Sequence, residues 1–253
     1  MCRLLYPSFT APALTAPEHP PLGQLIIASG IKCFGDNPFG WRFFSVLFGI
    51  AGVAIFYLIC LSLQMKAKYA FIAAFLLSFE NLSFVQSGIA MLDVFSLTFM
   101  LGSLWLYLHG RYNLAGISAG LATLVKLSGI LVLLLIVLQR FRQKGHAPLW
   151  LIPPLFCLWV NTHGSWLIGM VIFSTVIGAG LFQGEWGFIA AEPWTPSQRN
   201  RLLLAWSVSL GALFVNPFGA RLVFYPLDLA FRQKLNIEHV AEWVSVNFHD
   251  TRG

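Results

Sequence analysis

Polar positions along the chain are sparse, and they bunch at the edges of long apolar runs instead of alternating with them. Unalternating apolar runs of this length predict helices rather than strands. A bilayer core of about 30 Å takes some 17 to 25 helical residues per crossing. Marking runs bounded by charge, Gly or Pro gives eight candidate spans, at 42–63, 69–87, 89–109, 112–126, 127–139, 148–161, 164–182 and 201–216. The fourth and fifth would make one long helix, but Lys126-Leu127-Ser128-Gly129 sets a charge and a flexible residue at its middle. A break is expected there.

Composition points the same way. The 253 residues are 57% apolar and only 10% charged, with a mean hydropathy of +0.73, against about 25% charged residues in ordinary globular domains. Too few charges remain to clothe a water-soluble body, which excludes one and predicts an all-α, polytopic transmembrane protein. The net charge of +6 does not suggest nucleic acid, because the basic residues flank apolar runs as membrane-edge charges do. Cys2, Cys33, Cys60 and Cys157 form no C-x-x-C pair, so neither a metal site nor a disulfide framework is expected.

Lys and Arg in short loops resist translocation and orient the chain. Lys66 and Lys68, then Arg111, then Arg140, Arg142 and Lys144, then Arg199 and Arg201 fall on one side if the break at Lys126 is real. That side is expected to be cytoplasmic. Glu18, His19, Arg42, Glu80, Asn81, Gln86, Asp93, Lys126, Asn161, His163 and Asn216 then gather at the outer surface. Ionisable groups at membrane depth line cavities or pair with one another, so this face is the place to look for a site. A purely structural role stands beside that one: Asp93 pairing with Lys126 or Arg42 to hold helices together.

Glu18-His19-Pro20-Pro21-Leu22-Gly23, then Phe34 to Gly49 with Arg42 opening a span, then Asn81 to Asp93 ending in Leu-Asp, then Lys126-Leu127-Ser128-Gly129 occur in that order. In these segments, over residues 18–138, the chain resembles the protein O-mannosyltransferases and their bacterial relatives, glycosyltransferase family 39 of the GT-C class. The resemblance implies a GT-C-like membrane fold and transfer of mannose or a similar sugar from a polyprenyl-phosphate donor at the outer face of a bacterial plasma membrane. The acceptor is a protein hydroxyl, lipid A or an envelope glycan, and no cofactor beyond the lipid-linked donor is implied. Two departures accompany it. Position 88 is Gly where relatives carry Arg, and the family's first span and its Asp-Glu pair, upstream of H-P-P-L, have no counterpart here. On that ground the chain is expected to lack its true amino end.

The reaction sets its own requirements. A sugar leaving a polyprenyl phosphate through its anomeric carbon needs a cation near the phosphate and a carboxylate near the attacking hydroxyl. Arg42 and Lys126 are the candidate phosphate partners, Arg being suited to bidentate contacts. Glu18 is the candidate base, with a solvated loop acid as its plainer reading. His19 is expected to shape the substrate loop with the two prolines, and Asp93 to orient a basic partner or cap its helix.

From residue 148 onward, Trp159 to Gly164, Asn216-Pro217-Phe218-Gly219 and Glu242-Trp243 look like another group of bacterial multi-pass proteins. His163 lacks a second ligand at helical spacing, so no metal is expected. The hexapeptide N-P-F-G-x-R occurs at Asn37 to Arg42 and at Asn216 to Arg221, which turn chemistry beside a span explains. The resulting organisation is an external loop over 1–41, a transferase-like membrane half over 42–147, a second membrane half over 148–230 and an outer-surface tail over 231–253. Two other functions stay open: a transporter or flippase of lipid-linked substrates, and a catalytically silent remnant.

Overall fold

The computed structural model describes residues 20–80, 88–182, 184–186 and 189–232. The chain forms two compact units, Met1–Gln139 and Arg140–Gly253.

Unit 1 begins with α1 (Leu22–Phe34), α2 (Pro38–Ser62) and α3 (Ala67–Phe79), and continues with α4 (Leu92–Leu108) and α5 (Tyr112–Val125). A 3-10 turn (Leu127–Ile130) then leads into α6 (Leu131–Lys144), inside which the unit boundary falls. The segment read from sequence as an external loop thus contains a helix, α1. It ends at Gly35, whose φ of +88° favours glycine. Two residues on, Asn37 caps α2: its Oδ1 accepts from the amides of Phe39 and Gly40 at 3.0 Å, and Pro38 opens the helix. The first turns of α2 pass so close to α1 that a Cβ on Gly30 would collide with the Gly40 carbonyl.

Small and hydroxylic residues tie α2, α4 and α5 together. Ser96 and Ser103 on α4 donate to the carbonyls of Ala122 and Ala115 on α5, and Ser118 on α5 returns a bond to Phe99 on α4. Thr98 reaches the Phe48 carbonyl of α2 at 2.9 Å. Ala115, Ala119 and Ala122 are buried along one face of α5, letting the backbones approach closely as membrane helices do. Val94, Phe95 and Val125 form a buried cluster under Leu22, Ile26 and Ile27 of α1 and Phe44 and Phe48 of α2.

Unit 2 continues from the end of α6 through a 3-10 turn (Leu149–Leu151) to α7 (Ile152–Thr162) and α8 (Trp166–Ala179). A short antiparallel ribbon follows, β1 (Gly184–Trp186) against β2 (Ile189–Ala191), then α9 (Pro196–Ala212) and α10 (Ala220–Arg232). Thr195 and Gln198 form a reciprocal capping box at the start of α9. The core holds Phe141, Ile152, Phe156, Trp159, Phe173 and Leu202, all sealed from solvent. Apart from the ribbon, every regular element among the described residues is helical, as the apolar runs predict.

Each of the eight apolar runs falls on a helix, and the expected break at Lys126 is real. Lys126 is extended (φ −150°, ψ 134°) between α5 and the 3-10 turn. Of the described helices only α2, with 25 residues, has spanning length by itself. Much of the apolar surface is left bare: on α3 Phe71, Phe75, Leu76 and Phe79 are all exposed. Such a face belongs in lipid.

Candidate functional site

Two helix ends in unit 1 meet around a charge pair. Asp93 lies in the first turn of α4, where a carboxylate complements the helix dipole. Lys126 sits just past the end of α5, where positive charge complements the opposite pole. The Lys126 Nζ donates to Asp93 Oδ1 at 2.6 Å, and this is the salt bridge found among the described residues. Both side chains are partly open, Lys126 at 20% and Asp93 at 32% exposure, so the pair borders an accessible space.

Local structure fixes that geometry. The backbone turns at Lys126 because the next residues tighten into a 3-10 turn, with the Gly129 amide donating to the Lys126 carbonyl at 2.9 Å. Gly129 packs flat on the end of α5, where an added Cβ would lie 2.5 Å from the carbonyl carbon of Ala122. The start of α1 reaches the same end of the unit. A Cβ on Gly23 would meet Leu92 at 2.6 Å and Val125 at 3.1 Å, the chain neighbours of Asp93 and Lys126.

Arg42 lies on the second turn of α2 and is exposed. No hydrogen bond or ion pair joins it to Asp93 or Lys126. Of the two partners the sequence offers Asp93, the structure selects Lys126. Glu18 and His19 lie outside the described residues, as do Asn81 and Gln86. Among the described residues no cluster of three His, Cys, Asp or Glu side chains gathers around a point that could hold a metal.

His163 is set differently from what its lone position in the sequence suggests. The Ser165 amide donates to His163 Nδ1 at 3.0 Å, so that nitrogen is an acceptor and the neutral ring carries its proton on Nε2. The Ser165 hydroxyl therefore also donates to Nδ1, at 2.8 Å, while accepting from Trp159 Nε1 at 2.9 Å. Asn161 and Asn216 are likewise absorbed by the backbone: Asn161 Nδ2 donates to the Cys157 and Val215 carbonyls, and Asn216 Nδ2 to Leu213 and Gly219. Of the polar residues expected to gather outside, these three build the corner of unit 2. Sequence reasoning missed Ser165; it named Gly23 within the recognised motif and Gly129 as the flexible residue of the break, but not the close packing each makes.

The family model for dolichyl-phosphate-mannose-protein mannosyltransferase matches residues 23–176. The chain belongs to that family. The match begins at Gly23, against the charge pair, and runs past residue 148, from which the sequence looks like another group of multi-pass proteins, to the last turn of α8. A polyprenol-phosphate-mannose--protein mannosyltransferase of Mycobacterium tuberculosis (strain CDC 1551 / Oshkosh) is 42% identical over 81 residues, covering 32% of this chain and 15% of the relative. One from Corynebacterium glutamicum is 32% identical over 87 residues, covering 34% of this chain and 17% of the relative. An undecaprenyl phosphate-alpha-4-amino-4-deoxy-L-arabinose arabinosyl transferase 2 of Pseudomonas fluorescens is 33% identical over 157 residues, 59% of this chain and 26% of the relative. The matched part thus spans about a sixth to a quarter of the length of these relatives. No solved structure matches the chain.

Proposed function

We propose that this mannosyltransferase-family chain transfers a sugar, mannose or one like it, from a polyprenyl phosphate to an acceptor hydroxyl at the outer face of a bacterial plasma membrane. The Asp93–Lys126 pair carries the reading: an ammonium fixed at an open helix end beside the start of the family match. The names of the relatives supply the donor class, and both a mannose and an aminoarabinose donor in those names are carried on a polyprenyl phosphate.

In this reading the acceptor oxygen forms a bond to the anomeric carbon as the bond from that carbon to the phosphate oxygen breaks. The electron pair leaves with the polyprenyl phosphate, and the hydroxyl proton passes to a carboxylate. Lys126 stabilises the charge that grows on the phosphate, and Arg42 adds a planar fork to the same anion. Asp93 holds Lys126 in place, which makes it a positioning residue, and Glu18 takes the proton. His19 shapes the loop that covers the sugar. The acceptor is a protein hydroxyl or an envelope glycan, and the surrounding lipid supplies the donor.

The two membrane halves are read as 42–147 and 148–230, a boundary a few residues past the division of the chain into compact units at Gln139 and Arg140, and the basic loops face the cytoplasm. Arg142 supports this placement by stacking over Trp194 and donating to the Glu192 carbonyl at 3.0 Å, which holds one basic edge together.

The test is sugar transfer from a radiolabelled prenyl-phosphate mannose in membranes containing the full chain. Replacing Lys126 by Met is expected to lower transfer about a hundredfold or more, the scale of losing one preorganised charge partner of the leaving group. Arg42→Lys keeps the charge but loses the fork and is expected to cost about tenfold. Full transfer by both variants would remove these residues from the site, and no transfer by the unaltered chain would leave the silent remnant.

A further inference from the structure

The repeated hexapeptide makes the same asparagine clasp twice, although Asn37 caps α2 directly while Asn216 precedes α10 by a turn that holds Gly219 at φ +57°. At Asn37, Oδ1 accepts from the amide of Phe39 and Nδ2 donates back to the Phe34 carbonyl at 2.8 Å. At Asn216, Oδ1 accepts from the amide of Phe218 at 2.8 Å and Nδ2 donates back to the Leu213 carbonyl, also at 2.8 Å. Each asparagine therefore clasps the residue three before it and the residue two after it, between one helix and the next. Each corner leaves its phenylalanine bare, Phe39 at 60% and Phe218 at 66% exposure. Each also ends in an exposed arginine, Arg42 or Arg221, with no hydrogen-bond or ion-pair partner among the described residues. Turn chemistry accounts for the clasp, and each arginine stands at the edge of an apolar run as membrane-flanking charges do.

Beside the second corner, unit 2 opens an apolar groove of about 380 Å³ between α8, α9 and α10. That is within the roughly 300–1,000 Å³ range of ligand sites. Its walls include Trp166, Met170, Trp206, Phe214, Val223 and Phe224. The indole N–H of Trp206 is already satisfied by Ser174 Oγ at 2.9 Å, so the wall offers an apolar ligand no unmet donor at that point. From Trp206 on α9 to Phe214, in the turn just past its end, is about 12 Å at 1.5 Å per residue. Phe214 and the first turn of α10 form the corner end of the groove. Arg221 lies one turn before Phe224 and Tyr225 on α10, where residues three and four apart are neighbours. Asp228, two turns further, is half-buried and already engaged, so the positive end of this surface is the corner.

We propose that the groove and Arg221 form a second lipid site, built by unit 2 alone, for one prenyl chain ending in a phosphate. Arg221 takes the phosphate, the first amides of α10 add their dipole, and the chain runs along the groove toward Trp206. The prenyl class rests on the reading above, in which a prenyl phosphate is the leaving group; the site itself does not.

The experiment uses the full chain in phosphatidylcholine nanodiscs with a photoreactive farnesyl phosphate, followed by peptide mapping. Saturable labelling of 166–228 is expected, displaced by farnesyl phosphate at least tenfold better than by farnesol or phosphatidylglycerol. Arg221→Gln is expected to cut this labelling at least fivefold. Met170→Trp, which fills the groove and leaves Arg221 in place, is expected to do the same. Labelling unchanged in both variants, or displaced equally by phosphatidylglycerol, overturns the proposal. Sugar transfer is not the readout, so a chain that labels here but transfers nothing supports this site while refuting the transferase reading.

Discussion

Asp93 and Lys126 answer to two demands that substitution separates. As an ion pair at a membrane edge, each needs the other, since removing one partner strands a charge while removing both strands none. The variants Asp93→Asn and Lys126→Met are each expected to lower the melting temperature in detergent. The double variant is expected to melt higher than the sum of the single losses allows, a coupling of about 0.5–3 kcal/mol. Transfer is expected to stay lost in the double variant, because the cation toward the phosphate is gone whether or not the fold recovers. Recovery of both stability and transfer would make the pair a strut and nothing more. The sequence showed the two charges and their nearness to one surface, but not which partner Asp93 chooses. That choice depends on where α5 stops, and a turn held by Gly129 decides it.

At the scale of elements, that turn is the most exacting piece of unit 1. A Cβ on Gly129 has backbone on its near side, at 2.5 Å from Ala122 and 2.6 Å from Thr123, and backbone gives less readily than a side-chain tip. Gly129→Val is expected to destabilise by about 1–3 kcal/mol, the usual cost of overpacking, and to lower transfer by displacing Lys126. Asn37→Ala, which only removes a cap, is expected to cost about 0.5–2 kcal/mol in the same melt and to leave Lys126 in register. The membrane helices were legible because long apolar runs have one solution in lipid. The helices α1 and α10 were not. Leu22, Ile26 and Ile27 lie at helical spacing, but the run is shorter than a bilayer crossing, and a search set to spanning length passes over it. The ribbon at 184–191 was equally hidden, being three residues to a strand.

For the whole molecule the question is sidedness. The orientation proposed from the basic loops puts Lys66 and Arg142 in the cytoplasm and Asn161 outside. In a variant lacking the native cysteines, single cysteines at 66 and 142 are expected to stay unlabelled by an impermeant maleimide in intact cells, while one at 161 labels. Labelling at 142 would invert the molecule and put the Asp93–Lys126 end on the wrong side for an envelope acceptor. The order of basic and neutral loops is what the sequence offers toward this orientation. The division into two units at Gln139 and Arg140 did not show there, because it falls within α6 and no loop marks it.

The interrupted chain at Lys126 has one more effect. An extended residue whose side chain is one-fifth exposed and ends in an ammonium cannot sit against hydrocarbon, so water must reach it. Any hydroxyl acceptor there competes with that water for the same activated sugar. A chain that works as proposed is thus expected to leak, releasing free sugar from its donor when no acceptor is bound. The ratio of wasteful hydrolysis to productive transfer would then measure how completely an acceptor fills the opening that the broken helix creates.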